Sequence, residues 1–439
     1  MKTDLSQTTN EKKFLTGLLL CGALALSACS SNDDDGDSAD MPSDSDSISD
    51  SDSDASDTPA STGSDNDSAP AAETFPLSDV ESGFLAFAAT HSADYTSGRT
   101  DTLSLSGGIS VTGSYAATTS DITVDTDGKS LYEIGRFGLD SITKLDPGNT
   151  ANVIYQYSVN GDETSANPYD IAFVGDSLAY IARYGSSKVW VVNPSAASEE
   201  DFKIGELDLA AYDADVPNVS AVMIVEDRLF ILMEALTGFD ADKPGYIAVF
   251  DTASNTEIDT GQGVAGLKGI ALETINPTAL QYNATSDEVI VIGRGNFFEN
   301  ETVAGDPYTG GIEVIDGRSY ENSLLLDDGS NDENEGFFVN GLIVSLERGY
   351  VVTYKNFLST LRSFNPVTGL LDEEPVATLV DKEITSLAEG PTGKIWVGVG
   401  GDNPGFVLVD PVDNSISDEV VRTELIPVNV VFIDPSTAD

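Results

Sequence analysis

The stretch VNVVFI, Val428 to Ile433, decides the fold, because it supplies what the first unit of an internal repeat lacks. Seven windows share one form: an apolar strand, a variable loop, and a second apolar strand ending near Asp or Asn, often before Pro. They start at Gly83, Ser130, Ser177, Arg228, Glu288, Gly349 and Lys394, with spacings of 47, 47, 51, 60, 61 and 45 residues. That is the period of four-stranded propeller blades carrying loop insertions. A further strand precedes each window but the first: DITVD from Asp121, DIAFV from Asp170, SAVMIV from Ser220, TALQY from Thr278, GLIVSL from Gly341 and ITSLA from Ile384. VNVVFI is the missing seventh. Pairing it with the N-terminal blade closes a ring and removes the open sheet edges, which predicts an all-β, seven-bladed β-propeller over residues 76–439. A β-helix is the competing architecture, and it has no need of a first unit completed by a distant strand.

Let the strands of a blade be A (innermost) to D. The A–B connections DTDGK, VGDS, VEDR, LERG and GPTGK are short and rich in Asp and Gly, as hairpin turns require. The long insertions fall on the B–C and D–A side: His91 to Arg99, Ala210 to Asn218, Leu236 to Pro244, Asn296 to Gly311 and Asp327 to Asn340. Elaborated loops on one face of a rigid scaffold mark that face as the expected functional one.

These windows, with the DTDGKSLY, NPVTG and DPVDN segments, resemble the YncE-like group of seven-bladed propellers within the YVTN and lactonase-like superfamily. The resemblance covers about residues 76–439 and rests on repeat form. Where a YVTN-type signature continues with Asn, this chain reads GRFG and ARYG. The resemblance implies the propeller fold and leaves the activity open.

The first residues read as a targeting segment. Lys2, Lys12 and Lys13 precede FLTGLLLCGALAL, too short to span a bilayer and suited to a secretory h-region. The following LSAC resembles a bacterial lipobox, which implies removal of residues 1–28, lipidation of Cys29, and a firm membrane anchor. Ser30 after that cysteine implies outer-membrane delivery, with the domain facing the periplasm or the exterior. Cys21 lies in the removed segment, so the mature chain has no disulfide. Residues 29–75 hold 13 Asp, one Glu and no basic residue. Such a run cannot repay its ordering entropy and is expected to be a disordered tether spanning roughly 40 Å.

Residues 76–439 carry 18 basic and 58 acidic side chains within a chain of net charge −53. That balance argues against nucleic acid as a partner and favours a monomeric propeller with a protein or small-molecule partner. Arg136, Arg183 and Arg294 follow B strands, and Lys355 lies near the same place. All four are expected at one channel mouth, with Phe137 and Tyr184 beside them and Asp121 and Asp170 starting the neighbouring A strands. Either this is a cationic mouth for a carboxylate, phosphate or sugar, or Arg136 pairs with Asp121 and Arg183 with Asp170 to brace the strands.

No cofactor is required by the sequence. Calcium is a candidate at Asp328, Ser330, Asp332 and Asn334, which begin like an EF-hand loop without its sixth-position Gly or final Glu, and at Asp213/Asp215 and Asp240/Asp242. The single His, His91, is read as a surface-loop residue, and there is no G-x-S-x-G elbow, so Ser-His and Cys-His chemistry lacks its parts. The balance favours a non-enzymatic binding or interaction module. The alternatives are a metal-dependent lactonase-like hydrolase and a structural or assembly component of an envelope complex.

Overall fold

The computed structural model describes residues 73–77, 83–104, 110–116, 119–213, 215–297, 303–434 and 436. The expected signal segment, Cys29 and the expected tether up to residue 72 lie outside the described residues. Apart from one 3-10 turn at Glu199–Asp201 and a lone 3-10 residue at Leu77, the regular structure among the described residues is β, in seven sheets. No helix among them is long and apolar enough to cross a membrane.

The ring closes as the repeat predicts. Ile426–Ile433 is the inner strand of the first blade and pairs antiparallel with Leu85–His91, which is followed outward by Gly98–Ser104 and Ser110–Ala116. Blade 2 runs Ile122–Thr126, Leu131–Gly135, Ser141–Asp146, Asn149–Ser158, and the remaining blades repeat the plan. The B strands are buried along most of their length because each blade packs against two neighbours: all five residues of Leu131–Gly135 are buried, including Glu133, whose carboxylate accepts from Thr100 Oγ1 at 2.7 Å. Seven hydrophobic clusters fill the seven gaps between blades, for instance Tyr132, Ile134, Ile171 and Ile181 between blades 2 and 3, and Ala86, Leu103, Trp396 and Phe406 between blades 7 and 1.

Three details differ from the pattern in the sequence. The A strand of blade 6 is Phe337–Ile343, not 341–346, because Phe337, Phe338 and Val339 are all buried and draw the strand into what reads as the tail of a loop. Blade 4 gains Ile270–Ile275 beside its C strand. Thr74–Phe75 adds in parallel to the outer strand of blade 7, where Phe75 and Leu77 join the blade 7–1 cluster.

Candidate functional site

Six of the seven A strands carry a one-residue β-bulge near their start. The extra residue is Val428 in blade 1, then Tyr169, Ser220, Thr278, Val339 and Thr385 in blades 3 to 7. A bulge re-aims a side chain out of the alternating pattern, and all six of these line a cavity of about 300 Å³ at that end of the central channel. Blade 2 has no bulge and contributes Asp121, Ile122 and Thr123 instead.

The second layer of the lining comes from an equivalent residue at or just past the end of the B strands. Arg136, Tyr184, Glu234 and Arg294 are equivalent: each backbone N–H donates at 3.0 Å to the carbonyl of the residue before its A strand, respectively Asp121, Asn167, Asn218 and Asn276. By ladder register His91, Tyr354 and Gly400 hold this place in blades 1, 6 and 7. His91 through Arg294, five of the seven, line the cavity.

The side chains form a connected set. Arg136 Nε lies 3.2 Å from Asp121 Oδ1, and its guanidinium covers the Tyr169 ring at 3.8 Å. Tyr169 stacks on Tyr184 at 4.3 Å, and the Tyr184 hydroxyl donates to Glu234 Oε2 at 2.8 Å. Burial pushes Glu234 up to about 7, with Arg294, the Tyr184 hydrogen bond and Arg136 pulling the other way. Burial likewise raises Asp121, against the pull of Arg136 and the Phe137 N–H. His91 is not a loop residue: it ends its strand, is 5% exposed, stacks on Tyr95 at 4.4 Å and donates from Nδ1 to the Ser92 carbonyl at 2.8 Å. Because a carbonyl only accepts, Nδ1 carries a proton. Arg136 Nη2, Thr385 Oγ1 and Ser386 Oγ are buried without a hydrogen-bond partner.

Of the residues the sequence singled out, Arg136, Arg294, Asp121 and Tyr184 meet in this cavity. Arg183 does not. It is 2% exposed and donates to the carbonyls of Val159 (2.9 Å), Asn160 (2.7 Å) and Lys188 (3.3 Å) and to Ser186 Oγ (3.1 Å), with Trp190 over its guanidinium. Nor does it pair with Asp170, whose carboxylate accepts from the Ile171 and Val222 N–H groups at 2.9 Å and is pushed up to about 6 by burial. Phe137 is 41% exposed beyond the lining, and Lys355 is exposed and donates to the Asn334 carbonyl at 2.9 Å. Glu234 and His91 escaped the sequence reading. Aligning the B-strand ends one residue further on would have found both.

The calcium candidates do not converge. Among the described residues no group of three or more His, Cys, Asp or Glu is placed to hold a metal ion. Asp213 accepts from Lys243 Nζ at 2.7 Å, Asp242 accepts from Thr237 Oγ1 at 3.0 Å, and Asp240 turns back on Thr237 through its backbone. Asp215 and Asp332 are exposed, and Ser330 and Asn334 close a turn on each other at 2.7 Å.

Asp328 differs: it is 2% exposed and no side chain pairs with its carboxylate oxygens. Burial, then Asp327, push it up to about 8, while the Gly310 N–H offsets part of this. A carboxyl raised in the folded state but ordinary (3.8) in the unfolded one makes stability fall as pH rises from about 4 to 8. Asp328→Asn is therefore expected to raise the Tm by several degrees at pH 8 and by little at pH 4.5, read by thermal melting. A loss at pH 8 in millimolar calcium would instead mark Asp328 as a ligand.

No family model matches the chain, and no curated protein does. Solved structures do. A putative 6-phosphogluconolactonase from Bacteroides fragilis is 13% identical with a TM-score of 0.55, covering 81% of this chain and 99% of its own. A protein from Lactobacillus plantarum is 15% identical with a TM-score of 0.54, covering 80% and 100%. A second putative 6-phosphogluconolactonase, from Bacteroides uniformis, is 13% identical with a TM-score of 0.54 over the same shares. At these identities the likeness is one of fold alone.

Proposed function

We propose that this chain is a non-enzymatic binding module that takes a small polar anion at the channel mouth, carried on a YncE-like propeller that a lipid on Cys29 tethers to the outer membrane, facing periplasm or exterior. One observation carries the reading. Polar atoms left without partners, Arg136 Nη2, Thr385 Oγ1 and Ser386 Oγ, belong to residues that line a 300 Å³ cavity together with Arg294, Asn276 and Asn340. Buried donors are normally satisfied, and an anion bearing hydroxyls would satisfy these. The volume suits a small molecule rather than a peptide, so protein recognition falls to the outer loops.

A lactonase-like hydrolase is the second reading. It is favoured by His91 in the lining of the same cavity and by the names of the structural neighbours. The two separate in one experiment on purified protein. Calorimetry with a panel of small carboxylates and sulfate is expected to show saturable heat, and a lactone panel with and without a chelator is expected to show no turnover. Metal-dependent lactone hydrolysis would replace the binding reading. Labelling with palmitate, lost in Cys29→Ser, checks the anchor.

A further inference from the structure

We infer that the anion this cavity takes is a short aliphatic hydroxy acid: a carboxylate held at Arg136, an apolar chain laid against the opposite wall, and one hydroxyl beside Thr385 and Ser386. This rests on the small-anion reading above and names the class of ligand.

The cavity is two-sided. Among the described lining residues, every Asp, Glu and Arg comes from blades 2, 4 and 5: Asp121, Arg136, Glu234 and Arg294. Blades 6, 7 and 1 close the other arc and bring no Asp, Glu, Lys or Arg to it. The difference lies in two sequence positions. Where the A-strand bulge aims a side chain at the channel, blades 1 and 6 carry Val428 and Val339, against Ser220 and Thr278 in blades 4 and 5. At the place that Arg136, Tyr184, Glu234 and Arg294 occupy in blades 2 to 5, blade 7 has Gly400, and a Cβ there would lie 2.3 Å from the Glu383 side chain. Blade 7 therefore sends no side chain over the cavity from that place and leaves Ile384 in its wall.

That wall is a surface of the core. Val339, Val352 and Ile384 are 5%, 1% and 4% exposed and belong to the cluster packed between blades 6 and 7, so the apolar face is fixed before a ligand arrives. A CH₂ chain laid on it leaves water favourably, and a hydroxyl in the same place does not.

Most neutral polar groups of the lining are already engaged with the backbone. Ser120 Oγ donates to the Tyr95 carbonyl at 2.7 Å, Ser220 Oγ to that of Pro277 at 3.0 Å, and Asn276 Nδ2 to that of Gly295 at 3.3 Å. Asn340 Oδ1 accepts from the Gly341 N–H at 2.8 Å. Thr385 Oγ1 and Ser386 Oγ, on the apolar arc, are buried without a hydrogen-bond partner. That suits one polar atom of a ligand, not the row of hydroxyls on a sugar acid, most of which would be buried unpaired. On the charged arc Arg136 Nη2 is likewise without a partner, and a carboxylate is the group a planar guanidinium takes.

The test is calorimetric titration of the purified full chain with lactate, 2-hydroxybutyrate, 2-hydroxyvalerate and 2-hydroxyhexanoate, then with hexanoate, gluconate and sulfate. Each added CH₂ in the hydroxy-acid series is expected to tighten binding roughly fourfold. Hexanoate, lacking the hydroxyl, should bind roughly three- to tenfold more weakly than 2-hydroxyhexanoate, and gluconate, of the same chain length, more weakly by tenfold or more. Val428→Thr keeps the shape of the wall and adds a hydroxyl, so it should weaken 2-hydroxyhexanoate about threefold or more and leave lactate unchanged. A flat series, or gluconate bound as tightly as 2-hydroxyhexanoate, overturns the inference while the small-anion reading stands. Hexanoate bound as tightly as its hydroxy acid overturns it too, by removing the role of Thr385 and Ser386. If nothing binds, sulfate included, the small-anion reading itself fails. Should Val428→Thr not fold, the ligand series on the wild type alone decides.

Discussion

Ending the chain after Leu425 is expected to abolish cooperative folding. The cut removes Ile426–Ile433, the innermost strand, and exposes the hydrogen-bonding edge of Leu85–His91, its sheet partner over its whole length. Ile426, Val430 and Ile433 are 5%, 6% and 1% exposed, and Val430 and Ile433 belong to the two clusters that join blade 1 to its neighbours. At roughly 1.5–3 kcal/mol for each fully buried aliphatic side chain, the loss approaches the whole 5–15 kcal/mol stability typical of a domain. Thermal melting by circular dichroism and gel filtration read the result: a broad, low-amplitude transition and an aggregated or expanded species. A circular permutant that starts at residue 119 and joins 434 to 84 by a short linker tests the cause. Ile433 pairs with Leu85, so the new junction becomes an A–B hairpin like those of the other blades. The permutant should melt cooperatively near the parent Tm, whereas a truncated chain with an unchanged transition would sink the argument.

The fold was legible because a propeller repeats its hydrophobic pattern at every blade and needs an inner strand in each. That requirement made VNVVFI interpretable although its partner lies more than 300 residues away in sequence. What stayed illegible was local register. A bulge adds one residue without altering composition or apolar content, so nothing in DIAFV or ITSLA announces that Tyr169 or Thr385 turns toward the channel. The early start of the blade 6 strand at Phe337 was hidden for a related reason, since FFV follows an acidic, loop-like run and only burial assigns it to the sheet.

The site was half legible. Matching IGRFG to IARYG by their Arg-aromatic-Gly put Arg136 and Arg183 in register, whereas the ladder aligns Arg136 with Tyr184, because both donate to the carbonyl before their A strands. In a strand one residue of slip sends a side chain to the other face. Arg183 accordingly points into the wall beneath Trp190, and Tyr184 takes the cavity. The same slip concealed Glu234, which stands where Arg294 stands one blade later, and left His91 looking like a loop residue. Asp121 pairs with Arg136, as the bracing reading of the sequence required, yet Arg136 also lines the cavity. Bracing and lining are not alternatives here.

The two arginines that look alike in sequence should therefore fail in opposite ways. Arg183→Ala is expected to cost roughly 3–5 kcal/mol, because it strands the buried carbonyls of Val159, Asn160 and Lys188 at about 1–3 kcal/mol each, partly relieved by water entering the gap. It should also lower the Tm by about 5–10 °C, given the entropy of unfolding of a large domain. Anion binding by the surviving folded protein should be unchanged, since Arg183 is not in the cavity lining. Arg136→Ala removes an ion pair that Asp121 partly replaces through the Phe137 N–H, so its stability loss should be smaller, about 1–2 kcal/mol. Its binding loss should be large, tenfold or more, because the variant deletes a buried cation facing the ligand. Thermal melting and calorimetry on the same two samples give both coordinates. Equal losses of stability, or weakened binding in Arg183→Ala at a temperature where it is fully folded, would mean that the cavity is not the site and that the shared motif acts as one unit after all.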